Sequence, residues 1–277
     1  MWPPCKFTTR WALWLVFSWI IIGRSYAQQT PIHHLCFDTC TTQDQYGSMN
    51  AVLKNGITCN SGQGLTFDGV NDFVQLDAVP LGGATTFASW FRFDNVGGST
   101  SSSRLFEFGN SPTAMNVQAF AVNTGSTLKV EMRNTGGALL SKEIPGFLVN
   151  GALTHFAWSI SATGDFKVYK NGVEVGTKTG GGWPLPTATR STNWIGKCLY
   201  GSCLWKGGMR SFSIYNRVLS AADVLALYNS GAGNKCSVLS ATTPYTPQPP
   251  GSFEHIPRQC LTHPTRKRRC EDGVHLL

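Results

Sequence analysis

From about His33 to Ser213, apolar side chains recur at every second position in short runs separated by turn residues. Phe87-Ala-Ser-Trp-Phe-Arg-Phe93 sets Phe87, Ser89, Phe91 and Phe93 on one face and Ala88, Trp90 and Arg92 on the other. Phe156, Trp158 and Ile160 share a face in Thr154 to Ser161. A period of two is the signature of a β-strand with one face buried. Many such runs in sequence predict a sandwich or a barrel. Thirty glycines and fourteen prolines supply the turns that this architecture needs.

The best-specified local element is Phe166 to Gly176. Asn171-Gly172 provides the two positive-φ positions of a type I′ turn, with alternating residues on either side. Asn55-Gly56 and Asp68-Gly69 mark further turns. One helix is predicted after the strands. Ser220 caps it, Asp223 completes a capping box, Val224, Leu225, Leu227 and Tyr228 form its apolar stripe, and Gly231 ends it. It reads as a lid on the sandwich edge. Trp90, Trp158 and Trp194 fall within predicted strands and are assigned to the core.

The ends have a different character. Residues 1–27 read as a signal peptide: Lys6 and Arg10 precede an apolar run of twelve, Trp11 to Ile22, and Ser25-Tyr26-Ala27 offers the small residues of a cleavage site. The run falls short of the ~20 apolar residues that a membrane-spanning helix needs, and no later segment is apolar enough to span a bilayer. Residues 28–240 form the predicted domain. Residues 241–277 are a proline-rich linker and a basic, cysteine-containing tail, predicted to be disordered; its Arg266-Lys-Arg-Arg269 run matches a processing site for a furin-type protease. The formal charge of +8 falls to about +3 for the domain once the leader and the tail are set aside, too small and scattered for a nucleic-acid footprint.

Cysteine usage fits an exported, extracellular protein. Loss of Cys5 with the leader leaves eight, an even number that favours disulfides. Eight cysteines allow 105 pairings. The preferred set joins Cys198 to Cys203 and Cys40 to Cys59, then Cys260 to Cys270 and, by elimination, Cys36 to Cys236.

Several motifs then follow one another in a recognisable order. Gly64-Leu-Thr-Phe-Asp-Gly-Val-Asn-Asp-Phe-Val-Gln-Leu76 resembles the opening of laminin G-like and pentraxin-like (concanavalin A-like lectin/glucanase) jelly rolls. Phe87-Ala-Ser-Trp90, His155-Phe-Ala-Trp158 with Val168-Tyr-Lys-Asn-Gly-Val173, Trp194-Ile-Gly196 and Gly208 to Ser220 are similar to later motifs of that family. The resemblance implies an all-β fold: a two-sheet antiparallel jelly-roll sandwich with one short C-terminal helix. Such sandwiches serve as glycan-binding domains, adhesion modules and appendages of glycosidases.

Glucanases of related fold carry paired acids on one strand, as Glu-x-Asp-x-x-Glu or Glu-x-Asp-x-Glu. None of Glu107, Glu131, Glu143, Glu174, Glu254 or Glu271 has such a partner, so an enzyme is not expected. Calcium, bound by many relatives, would draw on Asp68, Asn71 and Asp72. However, the loop from Lys197 to Lys206 holds no carboxylate, and Arg210 and Ser211 replace the family's acidic pair after Gly208. No cofactor is therefore expected, and Asp68-Gly69 reads as a turn. Glycan binding calls for exposed aromatic rings with polar neighbours. The candidates are Trp183, in a glycine-rich loop, and Tyr200 and Trp205, in or beside the Cys198–Cys203 loop. The reading is a secreted, non-catalytic carbohydrate-binding or adhesion module using its loops, with a glycan or an extracellular protein as partner. The alternatives are a structural or assembly protein of the cell surface or extracellular matrix, or an accessory to a polysaccharide-active enzyme.

Overall fold

The computed structural model describes residues 30–95, 102–123, 125–201, 203–231, 233 and 235–238. The predicted leader, the linker and tail with Arg266 to Arg269, and the Cys260–Cys270 pair lie outside these residues.

The described chain folds into seventeen strands and one α-helix. The strands are β1 (His33–Cys36), β2 (Ala51–Lys54), β3 (Thr58–Asn60), β4 (Gly64–Asp68), β5 (Phe73–Leu76) and β6 (Val79–Gly83). Then come β7 (Thr85–Phe93), β8 (Arg104–Gly109), β9 (Val117–Ala121), β10 (Leu128–Arg133), β11 (Leu139–Ile144) and β12 (Leu153–Ile160). The last are β13 (Phe166–Lys170), β14 (Val173–Lys178), β15 (Leu185–Arg190), β16 (Thr192–Ile195) and β17 (Lys206–Tyr215), followed by α1 (Ala221–Ser230).

Two antiparallel sheets form the sandwich. The eight-stranded sheet runs β14-β13-β12-β7-β17-β4-β3, with β1 also paired to β17, and the seven-stranded sheet runs β11-β10-β9-β8-β16-β5-β2. β15 and β6 make a separate two-stranded ribbon. The period-two pattern explains the core: Phe87, Phe91, Phe93, Phe156, Trp158 and Ile160 of the first sheet meet Phe106, Phe108, Val117, Val130 and Ile195 of the second, all buried. Full burial of each large apolar side chain contributes about 1.5–3 kcal/mol.

The local expectations hold in detail. Asn171 and Gly172 have φ of 50° and 82°, as a type I′ turn requires. Ser220 accepts a hydrogen bond from the Asp223 amide, and Asp223 reciprocates at the Ser220 amide. Disulfides join Cys36 to Cys236, Cys40 to Cys59 and Cys198 to Cys203.

Two expectations about the helix need correction. It covers part of a face of the eight-stranded sheet, not an edge, because Ala88, Ala157, Tyr169 and Tyr215 on that face form a second apolar cluster with Val224 and Leu227. Gly231 ends it with φ −72°, so its role is not the left-handed cap. A Cβ at this position would collide with the indole of Trp90, and glycine is needed for close approach. Trp90 lies beneath the helix, stacked on Tyr228 at 5.6 Å.

Candidate functional site

The outer face of the seven-stranded sheet carries the chemistry. Alternation turns Val74, Leu76, Ile195, Phe106, Phe108, Val117 and Val130 into the core, so the intervening residues face out. Strand register sets them in one row: Gln75 opposite Trp194, Trp194 opposite Glu107, Glu107 opposite Gln118, and Gln118 opposite Glu131.

At one end of the row lies an aromatic pair. Trp194 is half-buried and meets Phe73 edge to face at 5.8 Å. Lys197 holds its ammonium over both rings, at 4.2 Å from Phe73 and 4.5 Å from Trp194, and Gln75 is exposed beside them. The core assignment of Trp194 is thus overturned. Ile195 follows it in the same strand, and two large neighbours in a strand cannot share a face. Ile195 takes the core. Asn193 shares its face, buried while donating to the carbonyls of Asp77 and Arg190 at 2.9 and 2.8 Å.

At the other end two carboxylates face the same way from different strands, a proximity that within-strand spacing does not reveal. Glu107 is fully buried. Its oxygens accept from Asn116 at 2.9 Å, Arg104 Nε at 3.2 Å and the Leu199 amide at 3.2 Å. Glu131 is also buried. It accepts from Gln118 at 2.7 Å and Arg133 at 3.3 Å, and pairs with Lys129 at 3.5 Å. Burial lowers the pKa of Arg104 against the opposing pull of Glu107, and its guanidinium stacks 4.1 Å from the Phe120 ring centre. Backbones two strands apart are separated by ~9–10 Å. These carboxylates are buried and each engaged by more than one donor, an arrangement that anchors the neighbouring strands and loop.

The Leu199 contact seats the disulfide-closed loop against this row. Tyr200, next in sequence, is 58% exposed, with its hydroxyl donating to the Pro112 carbonyl at 2.6 Å. The other two predicted aromatics are placed differently. Trp205 is 1% exposed among Phe91 and Phe93, its indole N–H donating to the Arg92 carbonyl at 3.1 Å. This corrects its assignment as a ligand contact, since no face of its ring reaches solvent. Trp183 is half-buried and packs against the main core.

The acidic candidates serve the backbone. Asp72 is 2% exposed and accepts from the amides of Gly56 at 2.7 Å and Asp68 at 2.9 Å. Asp68 accepts from Val70 at 2.7 Å and Asn71 at 3.3 Å, closing the turn; the first of these bonds is the largest cause of its lowered pKa. Asn71 is exposed, and its carbonyl accepts from the Asn55 side chain.

Residues 68–225, more than half of the chain, match the model of a concanavalin A-like lectin/glucanases superfamily. The chain belongs to this superfamily. No curated protein matches it in sequence. Among solved structures, this member of the superfamily is similar to domain 4 of AbnA, a GH43 extracellular arabinanase from Geobacillus stearothermophilus, in complex with arabinotriose. The identity is 17%, the TM-score 0.56, and the match covers 72% of this chain and 98% of that one. It is also similar to the botulinum neurotoxin serotype D ligand-binding domain in complex with N-acetylneuraminic acid, at 11% identity and TM-score 0.56, covering 73% and 51%. A third is the binding domain of Paraclostridial Mosquitocidal Protein 1, at 15% identity and TM-score 0.59, covering 72% and 52%. The superfamily member thus spans about half of each toxin domain. At these identities the likeness shows the fold alone.

Proposed function

We propose that this protein is an extracellular, non-catalytic glycan-binding module, and that it binds sugar on the outer face of the seven-stranded sheet. The observation that carries the reading is the outward position of Trp194 against Phe73, beside the amide of Gln75. An indole face takes the apolar side of a sugar ring, and neighbouring amide and ammonium groups take its hydroxyls. Tyr200, held on a disulfide-closed loop, adds a second ring at little ordering cost. Three disulfides among the described residues support an extracellular setting. Two of the similar structures were solved with sugars bound, arabinotriose and N-acetylneuraminic acid, which supports a glycan as the ligand. The burial of Glu107 and Glu131, and their engagement by neighbouring donors, supports a binding role over hydrolysis.

The test is a glycan array followed by titration of the best hit. Trp194→Ala is expected to weaken that affinity by about tenfold or more, since ring stacking on a sugar resembles an aromatic pair plus its buried area. Unchanged affinity in Trp194→Ala, or cleavage of the bound glycan, would sink the proposal.

A further inference from the structure

The opposite side of the sandwich holds a second feature that the glycan reading leaves unused. Where α1 stops covering the eight-stranded sheet, a cavity of about 170 Å³ is lined by Gln63, Arg92, Leu153, Gly208 and Arg210. Its floor is bare by necessity. Gly208 lines it, and a Cβ there would come within 3.0 Å of the Leu65 carbonyl. Strand register sets Leu153, Arg92 and Gly208 side by side across β12, β7 and β17.

Both arginines are held in place from one side. Arg92 donates through Nε to both oxygens of Asp94 at 2.9 Å, and its Nη2 pairs with the same group at 2.9 Å. Arg210 engages Asp38 through Nε at 2.6 Å and Nη2 at 2.8 Å, and also donates to the Gly62 carbonyl. In each, the carboxylate takes the Nε–Nη2 edge. Arg92 turns its Nη1 over the floor, 3.9 Å from where a Gly208 Cβ would lie. Lys235 lies on the same face of the sheet, 4.4 Å from the Trp90 ring centre, and donates to the Gly231 carbonyl. A guanidinium pre-oriented by a carboxylate presents its remaining N–H groups in a fixed fork, the geometry that suits an oxyanion.

We infer that this groove binds an oxyanion, carboxylate or sulfate, carried on a polysaccharide, with Arg92 and Arg210 taking the charge, Gln63 a hydroxyl, and Leu153 the apolar side of the ring. The cavity is smaller than the ~300 Å³ of a typical small-molecule pocket, so it takes one charged residue of a chain whose remainder lies in solvent. The arginine and leucine together favour an acidic sugar over an acidic peptide, which offers charge without a ring. The site is independent of the Trp194 face.

The experiment measures binding of the folded protein to polygalacturonate, dextran sulfate, neutral dextran and polyglutamate at low salt. Acidic polysaccharide should bind, neutral dextran and polyglutamate should not, and rising salt should weaken the complex. Binding to polygalacturonate alone assigns the carboxylate; binding to dextran sulfate assigns the sulfate. Arg92→Gln and Leu153→Asp should each weaken binding at least tenfold. The second variant places a negative charge in the groove while leaving both arginine–aspartate pairs intact, so it tests the site without unfastening the sheet. Leu153→Asp should leave the affinity for the best neutral glycan of the array as in the parent, which separates failure here from failure of the first site. No binding to either acidic polysaccharide, equal binding by the variants, or equal binding to polyglutamate would overturn the assignment.

Discussion

Two buried histidines predict a steep loss of stability between neutral pH and pH 4. His34 is fully buried, with Nδ1 2.8 Å from the Ser213 hydroxyl. Desolvation brings its pKa down to about 4, although the Cys236 backbone and the charge of Asp44 pull the other way. His155, 2% exposed between Trp90 and Tyr228, is also lowered to about 4, through desolvation. A folded-state pKa below the unfolded value of 6.5 means that the unfolded chain takes up protons first. Stability is therefore full above pH 6.5 and declines as pH falls towards 4. Each histidine contributes about 1.4 kcal/mol per pH unit within that window, or about 3 kcal/mol in total. Together they remove a large part of a typical 5–15 kcal/mol. Asp44 acts lower. Burial would raise its pKa, but bonds from His33 and from the amides of His34, Tyr46 and Met49 hold it well below the usual carboxylate range. Its contribution is lost only below about pH 4. The assay is urea unfolding followed by tryptophan fluorescence at half-unit steps from pH 7 to 4.5. The expected slope is about 2–3 kcal/mol per unit near pH 5, and His155→Gln should reduce it by about half whatever its stability at pH 7. Constant stability from pH 6.5 to 5 would refute the reasoning.

The Cys36–Cys236 bond closes a loop of 200 residues. Its removal by paired Cys→Ser changes should cost about 5 kcal/mol by loop entropy, against about 2 for Cys198–Cys203, with its sequence separation of 5. Calorimetric melting that ranks the two in reverse order would contradict this. Gly231→Ala forces a methyl group against the Trp90 indole, which should cost about 2 kcal/mol and lower Tm by about 4–8 °C; an unchanged Tm would show that the helix end gives way freely. Asp72→Ala leaves the buried amides of Gly56 and Asp68 without their acceptor, for a loss of about 3 kcal/mol in urea titration. Parent-like stability would mean that Asp72 does not anchor this turn.

Local rules made much of this fold readable. The Asn171-Gly172 turn, the Ser220–Asp223 capping box and the alternation through Phe87 to Phe93 each depend on a few adjacent residues, and each forms as their chemistry dictates. The site was harder to read because it is made by strand order. Glu107 and Glu131 fall in one row only because β9 pairs with both β8 and β10, a placement that no spacing along the chain encodes. Trp205 sits in a loop segment beside a disulfide, which suggested exposure, yet Phe91 and Phe93 draw it inside. Trp194 is the instructive case. Its adjacency to Ile195 already required one of the two to face outward, and only the structure shows that isoleucine took the core. Gly231 met the expected position for a different reason, steric room rather than backbone freedom.

The most direct test of the central claim is a crystal structure with the highest-affinity oligosaccharide from the array. The account predicts a sugar ring lying on the indole of Trp194, with its hydroxyls reaching Gln75 or Lys197. A sugar bound elsewhere on the sandwich, with Trp194 bare, would contradict it.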